Sequence, residues 1–291
     1  MAESRHKIRA IGAPFDVEHS SCSNLKPTHF DWTTQPSEYD VYIDRRMMYQ
    51  PDHSIIKEKR FGWVCESRFI VPDLYSFLIH NHKLLFNNYY NKIFTCDNSL
   101  LELNSNFVFC PSGSNYPWIR KEQWSVYHKI KLCSMFCSPK LLTEGHVYRH
   151  QIARLALDKG FDVFGGAHGT SRTVTDFKNP WNTKLDGVKD YMFSIVVENG
   201  VYDSYWTEKI TDCFATGTVP VYCGTKKILD FFDSDGIIFL EQGKEEEILN
   251  SLSKELYNSK LTAITNNFNA VAKIKLADDI LWEKINETVN N

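Results

Sequence analysis

The stretch Tyr191 to Gly224, YMFSIVVENGVYDSYWTEKITDCFATGTVPVYCG, reads as a strand, a polar loop, a helix and a second strand. Met192 to Val197 is a short apolar, β-branched run, and Glu198-Asn199-Gly200 ends it with residues that favour turns. Thr207 is placed to cap a helix whose Ile210, Cys213 and Phe214 fall on one face, and Gly217 supplies a left-handed stop. Thr218 to Cys223 returns as a strand, with Pro220 tolerable where no ladder donor is needed. The spacing predicts a βαβ unit, in which polar residues gather where strands end and helices begin, beside backbone N–H groups that attract anions.

Glu198, Tyr205, Glu208 and Lys209 fall at that point. A lysine there can meet a phosphate, whereas carboxylates suit hydroxyl-rich groups such as ribose or a sugar. Together they describe a nucleotide-sugar pocket. The plainer alternative is that both glutamates complement a helix N-terminus and Lys209 is solvated. The order Glu198-Asn199, Tyr205-Trp206-Thr207-Glu208-Lys209, Gly217-Thr218-Val219-Pro220-Val221-Tyr222 and Gly224 resembles the donor-site signature of the α1,3-fucosyltransferases, glycosyltransferase family 10. The sequence departs from that pattern just afterwards, with Cys223 and Thr225-Lys226-Lys227 where the family has Trp and then Pro around the glycine.

A chain of 291 residues, 43% of them hydrophobic, can bury the core of two ordinary domains. A net charge of −3 with basic residues spread along the chain argues against a nucleic-acid partner. Residues 1–14 hold no apolar signal region, and no stretch approaches the roughly 18 uninterrupted apolar residues of a membrane span, so the expectation is a soluble, cytoplasmic protein. Most of the eight cysteines lie in strand-like apolar runs, as buried thiols do, and Cys133 and Cys137 have no partner at zinc spacing, so no metal site is expected.

In chain order, strands are expected at 7–11, 41–43 and 61–65, with a loop between Asp16 and Tyr39. A helix over 72–82, a second at 83–88, strands at 92–95 and 107–109 and a short helix at 98–103 follow. The turn cluster Pro111 to Pro117 precedes a new strand over 129–137, so the boundary is placed near 128. This gives an acceptor-side domain 1–128, a donor-binding domain 129–275 and a terminal helix 276–291. A helix over 147–159 and a strand over 161–164 lead to Gly165-Gly166 and Gly169, which allow close backbone approach to a ligand. No G-x-G-x-x-G follows a strand, which disfavours a dinucleotide redox cofactor. A strand at 236–240 and helices at 244–257, 261–275 and 277–287 complete the chain, giving an α/β class throughout.

The resemblance to family 10 extends from about Lys129 to Leu240, through Phe136 to Lys140, Arg149 and Asp162 to Gly165. Trp63-Val64-Cys65-Glu66-Ser67 is similar to the family's W-x-x-E-S segment. It implies a GT-B architecture of two Rossmann-like domains facing across a cleft, and inverting transfer from GDP-fucose to a glycan acceptor without an obligatory metal cofactor. By the same resemblance, Lys209 and Arg172, with Arg149 as the alternate arginine, serve the diphosphate. Tyr205 contacts phosphate or base, and Glu208 the ribose. Glu198 faces the sugar, Asn199 and Thr207 complete the donor site, and Glu66 is the base. The alternatives are an exposed carboxylate paired with Arg68 for Glu66, and for Glu198 a carboxylate that satisfies the loop's own N–H groups. His146, His150 and His168 receive no role. Another GDP-hexose or UDP-pentose donor, motivated by Lys226-Lys227, and an inactive glycan- or nucleotide-binding module are the competing functions.

Overall fold

The computed structural model describes residues 5–22, 25–165, 184–202 and 204–290, and among these the strands form two parallel sheets, each in its own unit. In the first unit β1 (His6–Ile11), β2 (Phe30–Thr33), β3 (Tyr39–Ile43), β4 (Arg60–Trp63), β5 (Lys92–Thr95) and β6 (Phe107–Phe109) lie in the order β2-β1-β3-β4-β5-β6. Every residue of β3 and β4 is buried, because helices cover both faces of a parallel sheet. Alternation decides which face each side chain enters. Val41, Phe61 and Trp63 pack with Leu281, Trp282 and Ile285 of the helix Ala277–Asn290. Tyr42 and Ile93 pack on the opposite face, against Leu74, Leu78 and Leu85 of the helix Pro72–Asn88.

That helix is continuous, where the sequence reads as two pieces; Leu78 and Leu85 continue one buried face through the polar residues 80–83. Strand β2 lies in the stretch expected to be loop. Four residues flanked by polar neighbours give a weak periodic signal, and what makes them a strand is parallel pairing with β1, with Ile8 opposite Trp32.

In the second unit β7 (Lys131–Phe136), β8 (Asp162–Phe164), β9 (Tyr191–Val197), β10 (Val219–Cys223) and β11 (Ile238–Phe239) take the order β11-β10-β9-β7-β8. All seven residues of β9 are buried. Phe193, Ile195 and Val197 meet Ile152 and Ala156 of the helix Glu144–Asp158 on one face. On the other, Val196 meets Ile210 and Phe214 of the helix Glu208–Phe214. Pro220 is opposite Ser194 of β9 and outside the short pairing of Val221 and Tyr222 with β11, so the sheet tolerates its missing N–H. The helix expected over 244–257 is two, Glu245–Ser251 and Lys254–Ser259, because Leu252 is extended and Ser253 caps the second through its bond from Leu256 N–H at 3.1 Å.

The first unit ends at Tyr116, ahead of the position near 128, and the helix Ala277–Asn290 groups with it. Residues 117–127 are drawn into the second unit by tertiary bonds that local composition does not reveal. Ile119 N–H reaches the Asp212 carboxylate at 3.0 Å, and Ser125 N–H reaches the Ala215 carbonyl at 3.1 Å. No helix among the described residues is long and apolar enough to cross a membrane.

Candidate active site

The site grows from the carboxyl end of β9. Glu198 follows the strand's last residue, donates its N–H to the Cys223 carbonyl at 2.9 Å and is 1% exposed. Its side chain accepts the Thr207 N–H at 3.0 Å and the Thr207 hydroxyl at 2.9 Å, and lies 3.3 Å from the Lys209 ammonium. Thr207, with extended backbone at φ −134°, caps the helix Glu208–Phe214 and takes a bond from Lys209 Nζ at 2.8 Å. One buried carboxylate thus ties the strand end to the helix start and fixes the lysine between them. The Glu198 carboxylate receives one backbone N–H, that of Thr207.

Arg149, buried on the helix Glu144–Asp158, sends its guanidinium to the Val197 carbonyl at 2.6 Å and to Asn199 Oδ1 at 3.0 Å. It grips the same turn from the other side. Gly145 allows that grip: a Cβ there would fall 2.6 Å from both the Glu198 and Asn199 carbonyl oxygens, so only glycine lets the helix's first turn approach.

Behind Lys209 lies a second cation. Lys184 Nζ sits 3.3 Å from Asp212 and 3.8 Å from Glu208, one helical turn apart, and is framed by the rings of Trp118 and Phe136 at 5.2 and 5.0 Å. Burial pushes Glu208 up, but Lys209 and Lys184 together with the Thr207 hydroxyl overcome it and hold the carboxyl below its ordinary value. Asp212 is pushed up to about 6 by burial, which Lys184 and the Ile119 N–H offset only in part. Glu208 is therefore kept as an ionised acceptor.

In the first unit, Glu66 follows the carboxyl end of β4 and is half-buried. Its own N–H is received by Asp44 at 3.1 Å, and its carboxylate accepts the Ser67 N–H at 3.0 Å. Arg68, the partner offered for Glu66 by the plainer reading, bonds Asp97 at 2.7 Å.

Residues 130–262 match the family model described as glycosyltransferase family 10 (fucosyltransferase) C-term. Over this stretch the chain is similar to the C-terminal domain of that family. A solved α1,3-fucosyltransferase with GDP aligns with a TM-score of 0.54 at 14% identity, over 100% of this chain and 92% of its own. A second solved α1,3-fucosyltransferase structure gives 0.53 at 14% identity over 100% and 92%, and one with GDP-fucose gives 0.51 at 12% identity over 100% and 93%. At such identity the likeness is one of fold, and the two parallel α/β units are of GT-B type. Comparison with curated protein sequences gives no match.

Within the matched residues the structure brings Glu198, Asn199, Thr207, Glu208, Lys209 and Arg149 together around one turn. Tyr205 is buried and groups with the first unit. Arg172, His168, Gly166 and Gly169 lie outside the described residues. His146 bonds the Thr143 hydroxyl at 2.9 Å and His150 reaches the Ser138 carbonyl at 3.0 Å, both tying the start of one helix to its own approach loop. Lys227 pairs with Asp230 at 3.7 Å and Lys226 lies over the Phe239 ring. Gly145, Lys184 and Asp212 escaped the sequence reading. No local pattern marks Gly145 or Lys184; an acidic residue four positions after Glu208 is the one signal that could have found Asp212.

Proposed function

We propose that the chain is an inverting glycosyltransferase that moves fucose from GDP-fucose to a hydroxyl of a glycan. The observation that carries this is the turn at the end of β9, within the residues that match family 10. There a part-exposed ammonium, Lys209, is held by a buried carboxylate and a helix-capping threonine, beside an ionised Glu208. That combination offers a cation for a diphosphate and an acceptor for ribose hydroxyls at one helix start. The solved α1,3-fucosyltransferases with GDP and GDP-fucose support the choice of donor.

In this reading Glu66 takes the acceptor hydroxyl's proton as that oxygen attacks C1 of the fucose. The C1–O bond breaks from the opposite face, and its electron pair leaves with GDP. Lys209 and Arg172 neutralise the charge that grows on the diphosphate, and Glu208 and Tyr205 orient the nucleoside. Asn199 and Thr207 shape the turn, with Arg149 as the alternate arginine for phosphate. Two lysine-borne or arginine-borne charges in place of a metal predict that EDTA leaves turnover intact.

A panel of sugar nucleotides, read by thermal shift and by nucleotide release with and without glycan, tests the proposal. GDP-fucose turnover with inversion at C1 is expected. A shift with UDP-sugars alone would overturn the donor, and nucleotide binding without any turnover would favour an inactive binding module.

A further inference from the structure

Asp44 stands at the end of β3, next to the strand that leads to Glu66, and has φ +47°, the one positive value found at a non-glycine among the described residues. A left-handed aspartate stores strain that the surroundings must hold. What holds it is visible: its Oδ1 receives two successive backbone amides, Cys65 N–H at 2.8 Å and Glu66 N–H at 3.1 Å. The Glu66 carbonyl in turn accepts the Tyr75 hydroxyl at 3.3 Å. The main chain of Glu66 is thus pinned on both sides.

We propose that Asp44 is a positioning residue for transfer, holding Glu66 in the pose from which it accepts the acceptor's proton. This rests on the reading of Glu66 as base. Burial pushes the Asp44 carboxyl up to about 6, and the two N–H bonds oppose that, so it is ionised at neutral pH beside Glu66 and Arg45. A general base displaced by even an ångström loses much of its effect, so the tether is felt in turnover and not in donor affinity.

Three substitutions separate backbone tolerance from the bonds. Asp44→Asn keeps both the left-handed tolerance and the accepting oxygen, Asp44→Gly keeps the tolerance alone, and Asp44→Ala loses both. The assay is steady-state turnover of GDP-fucose, or of the sugar nucleotide that replaces it in the panel, with each variant also made in combination with Glu66→Gln. Expected are turnover within about threefold of the parent for Asp44→Asn and a kcat loss of roughly tenfold to a hundredfold for Asp44→Gly at unchanged donor KM. The double variant should be no slower than Glu66→Gln alone, because the two act as one unit. Full turnover in Asp44→Gly, or losses that multiply in the double variant, would overturn the positioning role while leaving Glu66 as base. Normal turnover in Glu66→Gln would overturn both. Should Asp44→Gly fail to fold, Tyr75→Phe removes the other tether while keeping the ring. It is expected to slow the parent but not the Glu66→Gln protein, and undiminished kcat in Tyr75→Phe would then overturn the role.

Discussion

Lys184 serves two buried carboxylates at once, and the rings of Trp118 and Phe136 keep it between them. Removing that charge strands Asp212 and weakens the support for ionised Glu208. Lys184→Gln should therefore cost on the order of 3 kcal/mol, the scale for breaking a buried pair from one side. The sign of its pH dependence follows from Asp212, already raised to about 6 and raised further without its cation. An acid whose folded value is raised keeps its proton in the folded chain after the unfolded chain has lost it, so stability falls as pH rises. Urea melts should thus show a larger deficit for Lys184→Gln at about pH 8 than at about pH 5. An equal deficit at both would mean that Lys184 acts by packing against its two rings and not by charge.

In the strand–turn–helix element from Tyr191 to Phe214, Thr207 links the strand's end to the helix's start. Its hydroxyl donates to Glu198 and accepts from Lys209, so a single oxygen joins the buried carboxylate to the ammonium. Thr207→Val keeps the shape and deletes that oxygen. The expected loss is about 1 to 2 kcal/mol, the upper part of the range for helix caps. GDP should bind more weakly as well, since Lys209 loses the hydroxyl that fixes it alongside the Glu198 and Glu208 carboxylates. Thr207→Ser should restore both. Calorimetric GDP binding unchanged in Thr207→Val would show that Lys209 is oriented without the Thr207 hydroxyl.

Among the described residues of the whole molecule, Asp44, Asp212 and Asp278 share one behaviour. Each is pushed up to about 6, chiefly by burial. Asp278, at the start of the helix Ala277–Asn290, accepts the Ser21 N–H at 2.9 Å, the Ser21 hydroxyl at 2.7 Å and the Trp32 indole N–H at 2.7 Å, so it fastens that helix to its own unit. Each folded carboxyl retains a proton that the unfolded chain gives up near pH 4. Stability is therefore expected to fall as pH rises from about 4 to about 6 on account of these groups. Exposed carboxyls held low, such as Asp52 at about 2, act in the opposite sense and at lower pH. Asp278→Asn should flatten part of that slope and destabilise the fold at every pH, because its amide would aim N–H groups at donors. A slope identical to the parent's between about pH 4.5 and 6.5 would remove Asp278 from the account.

The sequence by itself determined the class of the second unit and the central turn. Continuous apolar, β-branched runs at β9 and β10, a capping threonine and a stop glycine at 217 are local signals, and the tertiary structure leaves them as they read, with Gly217 at φ +71°. The residues Glu198, Thr207, Glu208 and Lys209 were legible for the same reason, since they lie within one short stretch of chain. What only the tertiary structure decided involves partners far apart in sequence. Strand β2 exists by pairing with β1, the segment after Tyr116 joins the second unit through Asp212, and the helix Ala277–Asn290 returns to the first sheet. Lys184 gains its meaning from two rings and two carboxylates on other elements, and Asp44 from amides on the neighbouring strand's exit. Periodicity and capping are written within a turn or two of the chain. Ion pairs and tethers across elements are set by where packed strands and helices bring their ends, which no short window of sequence records.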